Sequence, residues 1–131
     1  MKNNKYYRVY AEINLDAIVK NVDNLMALTK ENTGALAVVK ADGYGHGDVA
    51  VAKAVAQKVT GYAVATLDEA VNLRENGVKK PILVLGYVDP YEFDILVSHE
   101  ITATVFDVET AQLLADAARA VSYTHLRAHE T

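Results

Sequence analysis

The chain contains no cysteine. That alone excludes disulfides and thiolate metal sites, and it suits a reducing compartment. Basic side chains are outnumbered, 13 against 17 acidic ones. No cluster of lysine and arginine offers a footprint for nucleic acid, and a mildly acidic chain is not drawn to an anionic membrane. Long apolar runs are also missing. Ala35–Val39 and Ile82–Leu85 fall far short of the roughly 20 apolar residues that cross a bilayer. The opening stretch, Met1–Tyr10, is polar and lacks the apolar centre of a secretory signal. These absences lead us to expect a soluble cytoplasmic protein that binds neither nucleic acid nor membrane.

What is present reads as globular: 131 residues, 51% of them apolar, within the range of one domain. Strand-like and helix-like stretches alternate, the mark of a parallel α/β fold. Val9–Asn14 is a first strand candidate. Leu15, Ile18, Val22, Leu25 and Leu28 recur at helical spacing, so 15–30 reads as an amphipathic helix capped by Asn14. Gly34 breaks it. Ala35–Lys40 then suits a strand buried on both faces, followed by the glycine-rich loop Asp42–Gly47 and a helix over about 48–58. Tyr62–Ala65 is the next strand, and Thr66 with Glu69 forms a capping box for a helix ending at Asn76-Gly77. Pro81 starts the strand Ile82–Leu85, and Asp89-Pro90 starts another helix. Thr102–Phe106 is the last strand candidate, and Asp107 caps a helix to about residue 120. Four βα units amount to about half of a (β/α)8 TIM-type barrel, which needs roughly 250 residues. A doubly wound open sheet is the alternative that periodicity leaves standing.

Residues 121–131, Val-Ser-Tyr-Thr-His-Leu-Arg-Ala-His-Glu-Thr, show neither periodicity and stand where a further apolar strand is due. The string resembles the translation of a transposase sequencing adapter. The expected division is therefore a partial barrel domain over 1–120 and a non-native tail over 121–131, against a genuine polar tail. Two of the four histidines, His125 and His129, lie in this tail, and no metal site is expected.

The informative stretch is Val38-Val39-Lys40-Ala41-Asp42-Gly43-Tyr44-Gly45-His46-Gly47. Lys40 closes a strand, and in a parallel barrel chemistry is done at that end. Partial desolvation there disfavours the ammonium form, and a neutral amine is what a carbonyl compound needs for a Schiff base. Glycines at alternate positions let backbone N–H groups approach an anion, with the positive end of a helix behind them and the Tyr44 hydroxyl beside them. An aldehyde with a phosphate fits this reading. Pyridoxal phosphate and the sugar phosphate of a lysine aldolase both qualify. The bland readings are a solvated lysine, glycines that only turn the chain, a packed Tyr44 and an ordinary exposed or capping His46. The loop lacks the Gly-Lys-Ser/Thr ending of a P-loop and the G-x-G-x-x-G of a dinucleotide fold.

Ala37–Asp48 resembles the cofactor-lysine signature of alanine racemases. Ala11–Ile18 resembles that family's opening, Ala63–Ala65 followed by Leu67–Ala70 and Leu73-Arg74 its second unit, and Pro81–Gly86 its third strand, in one register over roughly residues 8–118. Asp42 and Gly43 stand where the family often has asparagine and alanine. The resemblance implies an N-terminal barrel followed by a C-terminal β domain against which Val9–Asn14 would pack. It further implies a homodimer with its site at the subunit interface, and Lys40 holding pyridoxal 5′-phosphate as an internal aldimine. Tyr44 would bond the phosphate, and Val38 and Leu85 would line the pocket. L-alanine and D-alanine are then the substrates, with D-alanine destined for peptidoglycan. Lys40 is one base, and a partner tyrosine from the C-terminal domain is the other. With one base where racemisation needs two, the 131 residues alone are expected to be inactive and, as a half-barrel with open edges, to fold marginally. A broad-specificity or serine racemase, and a non-enzymatic remnant, are the alternatives.

Overall fold

The computed structural model describes residues 8–130, with side chains up to Val121. Helix α1, Leu15–Ala27, starts where the sequence says it should. The Asn14 side chain accepts the Ala17 N–H at 3.0 Å, and Asp16 lies in the positive first turn. Leu15, Ile18, Val19 and Val22 pack against the core. The stripe does not hold to its end: Leu25 and Leu28 are exposed, and the helix stops at Ala27, short of residue 30.

Four strands follow: β1 Leu36–Val38, β2 Gly61–Val64, β3 Ile82–Val84 and β4 Thr102–Ala103. They form one parallel sheet in the order β1-β2-β3-β4. The crossovers carry α2 (Asp48–Ala54), α3 (Leu67–Glu75) and, after a 3-10 turn at Pro90–Glu92, α4 (Phe93–Ser98). Helix α5, Val108–Glu130, closes the described chain. Sequential strand order removes the doubly wound alternative, which reverses direction at a switch point.

Burial points the same way. Val39, Tyr62, Val64, Ile82 and Val84 are buried, while Leu36, Val38 and Leu85 are exposed. Strand side chains alternate between faces, so the helices cover one face only, as they do outside a barrel wall. This corrects the expectation that Ala35–Lys40 is buried on both sides. A parallel strand needs cover on both faces for that, and Leu36 and Val38, on the second face of β1, are exposed.

Three further expectations change. Val9–Asn14 forms no strand: among the described residues it finds no ladder partner, and an extended segment without one is not a strand. The fourth strand shrinks to two residues, with Val105 and Phe106 exposed beyond it on the sheet edge. Helix α5 runs past residue 120 to Glu130, because no glycine or proline interrupts 108–130. Its cap is as expected: Asp107 accepts the Thr110 N–H at 2.6 Å, and that bond holds the Asp107 carboxyl below the usual carboxylate range.

The N-terminal end of the sheet is fastened by cations. The Arg74 guanidinium, at the end of α3, donates to the carbonyls of His99, Val78, Lys80 and Glu100 at 2.8–2.9 Å. Lys80 Nζ donates to the carbonyls of Ala56 and Val59. Beside it Tyr62, 1% exposed, donates its hydroxyl to the Ala52 carbonyl on α2, and burial pushes its phenol up.

Candidate active site

Lys40 lies two residues past the end of β1 and is half-buried. Val38, the last residue of β1, stands two residues before it. The register pairs Val38 with Ala63 and Ala63 with Leu83, which puts Leu83, and Leu85 two residues on, on the face of Val38. Val38 and Leu85 therefore share one face of the sheet at its C-terminal end, and Lys40 lies at that end beyond the last strand residue of β1. Val38 and Leu85 are each 41% exposed. Among the described residues, Lys40 Nζ makes no hydrogen bond or ion pair.

The loop after Lys40 is a turn of left-handed helix. Ala41, Asp42, Gly43 and Tyr44 have φ of 53°, 56°, 62° and 59°, and Gly45 ends the turn at 86°. A left-handed residue with a Cβ costs roughly 1–2 kcal/mol, and three of the first four carry one. The conformation is held by bonds of the ordinary helical kind in the opposite hand. Gly43 N–H donates to the Val39 carbonyl at 2.8 Å, and Gly45 N–H to that of Ala41 at 3.1 Å. Gly43 is buried, and a Cβ there would meet the Asp48 nitrogen at 3.3 Å, so the loop packs tightly on α2.

This geometry corrects the picture of an anion cradle. The His46 and Gly47 N–H groups donate to the carbonyls of Gly43 and Asp42. At the start of α2, the Asp48 N–H goes to Asp42 Oδ1 at 3.1 Å and the Val49 N–H to Asp48 Oδ1 at 2.7 Å. The glycines thus serve the left-handed turn, and the N–H groups of Gly43, Gly45, His46 and Gly47 bond within Val39–Gly47. His46 does not cap α2: Gly47 holds that position, and His46 Nδ1 lies 3.1 Å from the Gly43 carbonyl. Tyr44, 60% exposed, keeps its hydroxyl free among the described residues. It shares a shallow, mostly apolar pocket with Ile18, Val38, Val39 and Val51; Lys40 and Leu85 do not line this pocket.

Sequence reasoning found Glu69 only as a capping-box residue. Its carboxylate caps α3 as expected, with Oε1 accepting Thr66 N–H at 3.0 Å. It also reaches the Ala41 N–H at 2.7 Å, 28 residues away, which no local pattern announces.

Over residues 13–129 the chain matches the family described as alanine racemase, N-terminal domain. It belongs to that family. Alanine racemase 1 of Oceanobacillus iheyensis is 40% identical over 122 residues, which span 92% of this chain and 32% of that one. The structure of alanine racemase from Clostridium difficile 630 superposes with a TM-score of 0.86 at 40% identity, over 91% of this chain and 32% of that one. A histidine racemase from Leuconostoc mesenteroides superposes at 0.73 and 29% identity, over 82% of this chain and 29% of that one. The chain spans about a third of the length of the relatives it matches. The four-stranded parallel sheet is accordingly the N-terminal part of that family's barrel domain.

The residues present fit pyridoxal 5′-phosphate in part. A half-buried amine without a partner suits an aldehyde, and the free Tyr44 hydroxyl suits a phosphate oxygen. The N–H groups of Gly43, Gly45, His46 and Gly47 add no donor to that hydroxyl, since each is bonded to a carbonyl of this segment. No group of three or more histidine, cysteine or acidic side chains that could hold a metal ion occurs among the described residues. No helix among them is long and apolar enough to cross a membrane.

Proposed function

We propose that this chain carries the cofactor lysine of a pyridoxal-phosphate-dependent alanine racemase, with Lys40 as the amine that holds the cofactor and then moves the substrate's α-proton. The observation behind this reading is the half-buried, unpartnered Lys40 at the C-terminal end of β1, in a chain of the alanine racemase family. When bound, the cofactor supplies delocalisation of the negative charge left on the α-carbon. This chain's residues supply the rest. Tyr44 donates its hydroxyl to the phosphate. Val38 and Leu85 keep water from the face on which Lys40 works, and a drier site strengthens electrostatic interactions. The Lys40 amine takes the α-proton of D-alanine from one side. By family resemblance the opposing base is a tyrosine of a partner subunit, so the whole enzyme is a cytoplasmic homodimer that supplies D-alanine for peptidoglycan. Residues 121–131 belong to this reading only as a tail outside the barrel domain.

A racemase of broader specificity is the second reading, favoured by the likeness to a histidine racemase. A turnover assay of the whole enzyme against alanine, serine and histidine separates the two.

Borohydride reduction after incubation with pyridoxal 5′-phosphate, followed by peptide mapping, tests the assignment of Lys40. One adduct at Lys40, lost in Lys40→Ala, is the expected result. Equal labelling of the variant would sink it. The 131 residues alone are expected not to turn over alanine above the Lys40→Ala control, since one base cannot serve both faces.

A further inference from the structure

Glu69 stands where the first ladder of the sheet would continue. Val38 pairs with Ala63, and the Val39 N–H donates to the Ala63 carbonyl at 2.9 Å. One register on, a parallel ladder would join the Ala65 N–H to the Val39 carbonyl and the Ala41 N–H to the Ala65 carbonyl. Neither rung is present. The Ala65 N–H donates to Glu69 Oε1 at 2.8 Å, and the Ala41 N–H donates to Glu69 Oε2 at 2.7 Å. The Val39 carbonyl accepts from Gly43 N–H instead, and the Ala65 carbonyl from Gly86 N–H. A single carboxylate thus replaces two rungs and ties the end of β2 to the chain leaving β1.

Lys40 sits between the last true ladder bond, at Val39, and the carboxylate bond, at Ala41. Its backbone is fixed on both sides just where the chain turns left-handed. We propose that Glu69 is a positioning residue for Lys40: Oε2 fixes the backbone direction from which Lys40 presents its amine, while Oε1 caps α3. The task suits a carboxylate, which has two acceptor oxygens and no donor, and whose bonds to N–H are charge-assisted. A glutamine has one acceptor oxygen. If that oxygen keeps the cap, the amide NH2 faces the Ala41 N–H, donor against donor.

The inference rests on the reading of Lys40 as the cofactor lysine, and the experiment separates the two. The whole chain is incubated with pyridoxal 5′-phosphate, and borohydride-trapped label at Lys40 is followed together with the circular dichroism of the bound chromophore. In Glu69→Gln the rate of labelling at Lys40 is expected to fall about tenfold, as reacting groups held slightly out of place lose rate. The chromophore's induced ellipticity should fall as well, per molecule labelled. Thr66→Ala, which breaks the capping box without touching the Ala41 N–H, should leave both near wild type after correction for the folded fraction. Equal effects in the two variants, or none in Glu69→Gln, overturn the positioning role. Labelling that persists in Lys40→Ala overturns the cofactor-lysine reading itself. If Glu69→Gln does not fold, amide exchange in the unsubstituted chain decides. Protection of the Ala41 amide comparable to that of Val39 supports the tie, and rapid exchange at Ala41 refutes it.

Discussion

Two half-buried lysines mark the opposite ends of the same sheet. Lys80, just before β3, donates to the carbonyls of Ala56 and Val59. Lys40, just after β1, has no partner for its ammonium among the described residues. The difference follows from the surroundings that each end offers. At the N-terminal end, the turns that follow α2, α3 and α4 bring their carbonyl groups together, and cations satisfy them: Lys80 does so beside the four carbonyls held by Arg74. At the C-terminal end, the carbonyls of Val39, Ala41, Asp42 and Gly43 are taken by loop N–H groups, and a carboxylate takes the donors left over. The backbone there asks nothing of the lysine, which leaves its amine available for a ligand. One end of the sheet holds the fold together, and the other is free for chemistry.

The largest expected effect is the sharpest break in that comparison. Lys40→Ala should abolish trapped pyridoxal phosphate, whereas Lys80→Met should leave labelling at Lys40 unchanged per folded molecule. Next in size comes Arg74→Leu. It would strip the charged donor from four carbonyls at once, and an acceptor left without a partner costs about 1–3 kcal/mol. The four share their surroundings, so their costs do not simply add. A loss of about 3–5 kcal/mol is expected on that basis, read as a lower midpoint in urea. A variant as stable as wild type would show that the N-terminal end does not depend on this clamp.

Much of this arrangement was legible in the sequence, and the division is physical. Asn14, Thr66 with Glu69, and Asp107 cap the helices they were expected to cap, and Asp89 caps the 3-10 turn ahead of α4, since a cap is a bond across two or three residues and any local reading can find it. The order of strands and helices was also plain, as periodicity records which face is apolar. The supposed strand at Val9–Asn14 was not settled, because a strand is made by its partner. Nor was the hand of the turn after Lys40. Alternating glycines suit an anion cradle and a left-handed turn equally well, and only the structure shows which way the amides point. The second oxygen of Glu69 was the most distant of these, since its bond to Ala41 depends on β1 and β2 lying side by side. Lys40 drew notice in the sequence because its neighbours resemble a family signature. That Leu85 shares a face with Val38 follows from register, and register is a property of the sheet.

A smaller effect is expected from Lys80→Met on stability. The substitution keeps an apolar stem of similar length and removes only the ammonium, leaving the Ala56 and Val59 carbonyls without that donor. About 1–3 kcal/mol should be lost. The comparison of the two lysines would fail if Lys40→Met cost as much, for then neither end would be specialised.

Tyr62 offers the smallest and most specific test, since it lies beside Lys80 and is tied to α2 by its hydroxyl. Tyr62→Phe keeps the ring in the core and removes one hydrogen bond, which should cost about 1 kcal/mol at neutral pH. It should also change the alkaline limb of stability. Burial raises the phenol in the folded chain above its value in the unfolded one. The neutral phenol is thus favoured by folding, and its contribution is complete below the ordinary tyrosine range, about pH 10. As pH rises from there through the folded-state value, the unfolded chain loses its proton first and stability declines. Phenylalanine has no proton to lose, so urea midpoints of the variant should fall less steeply between about pH 9 and 11 than those of wild type. Parallel curves would mean that the Tyr62 hydroxyl reaches water in solution. The N-terminal end of the sheet would then be looser than the bonds of Lys80 and Arg74 imply.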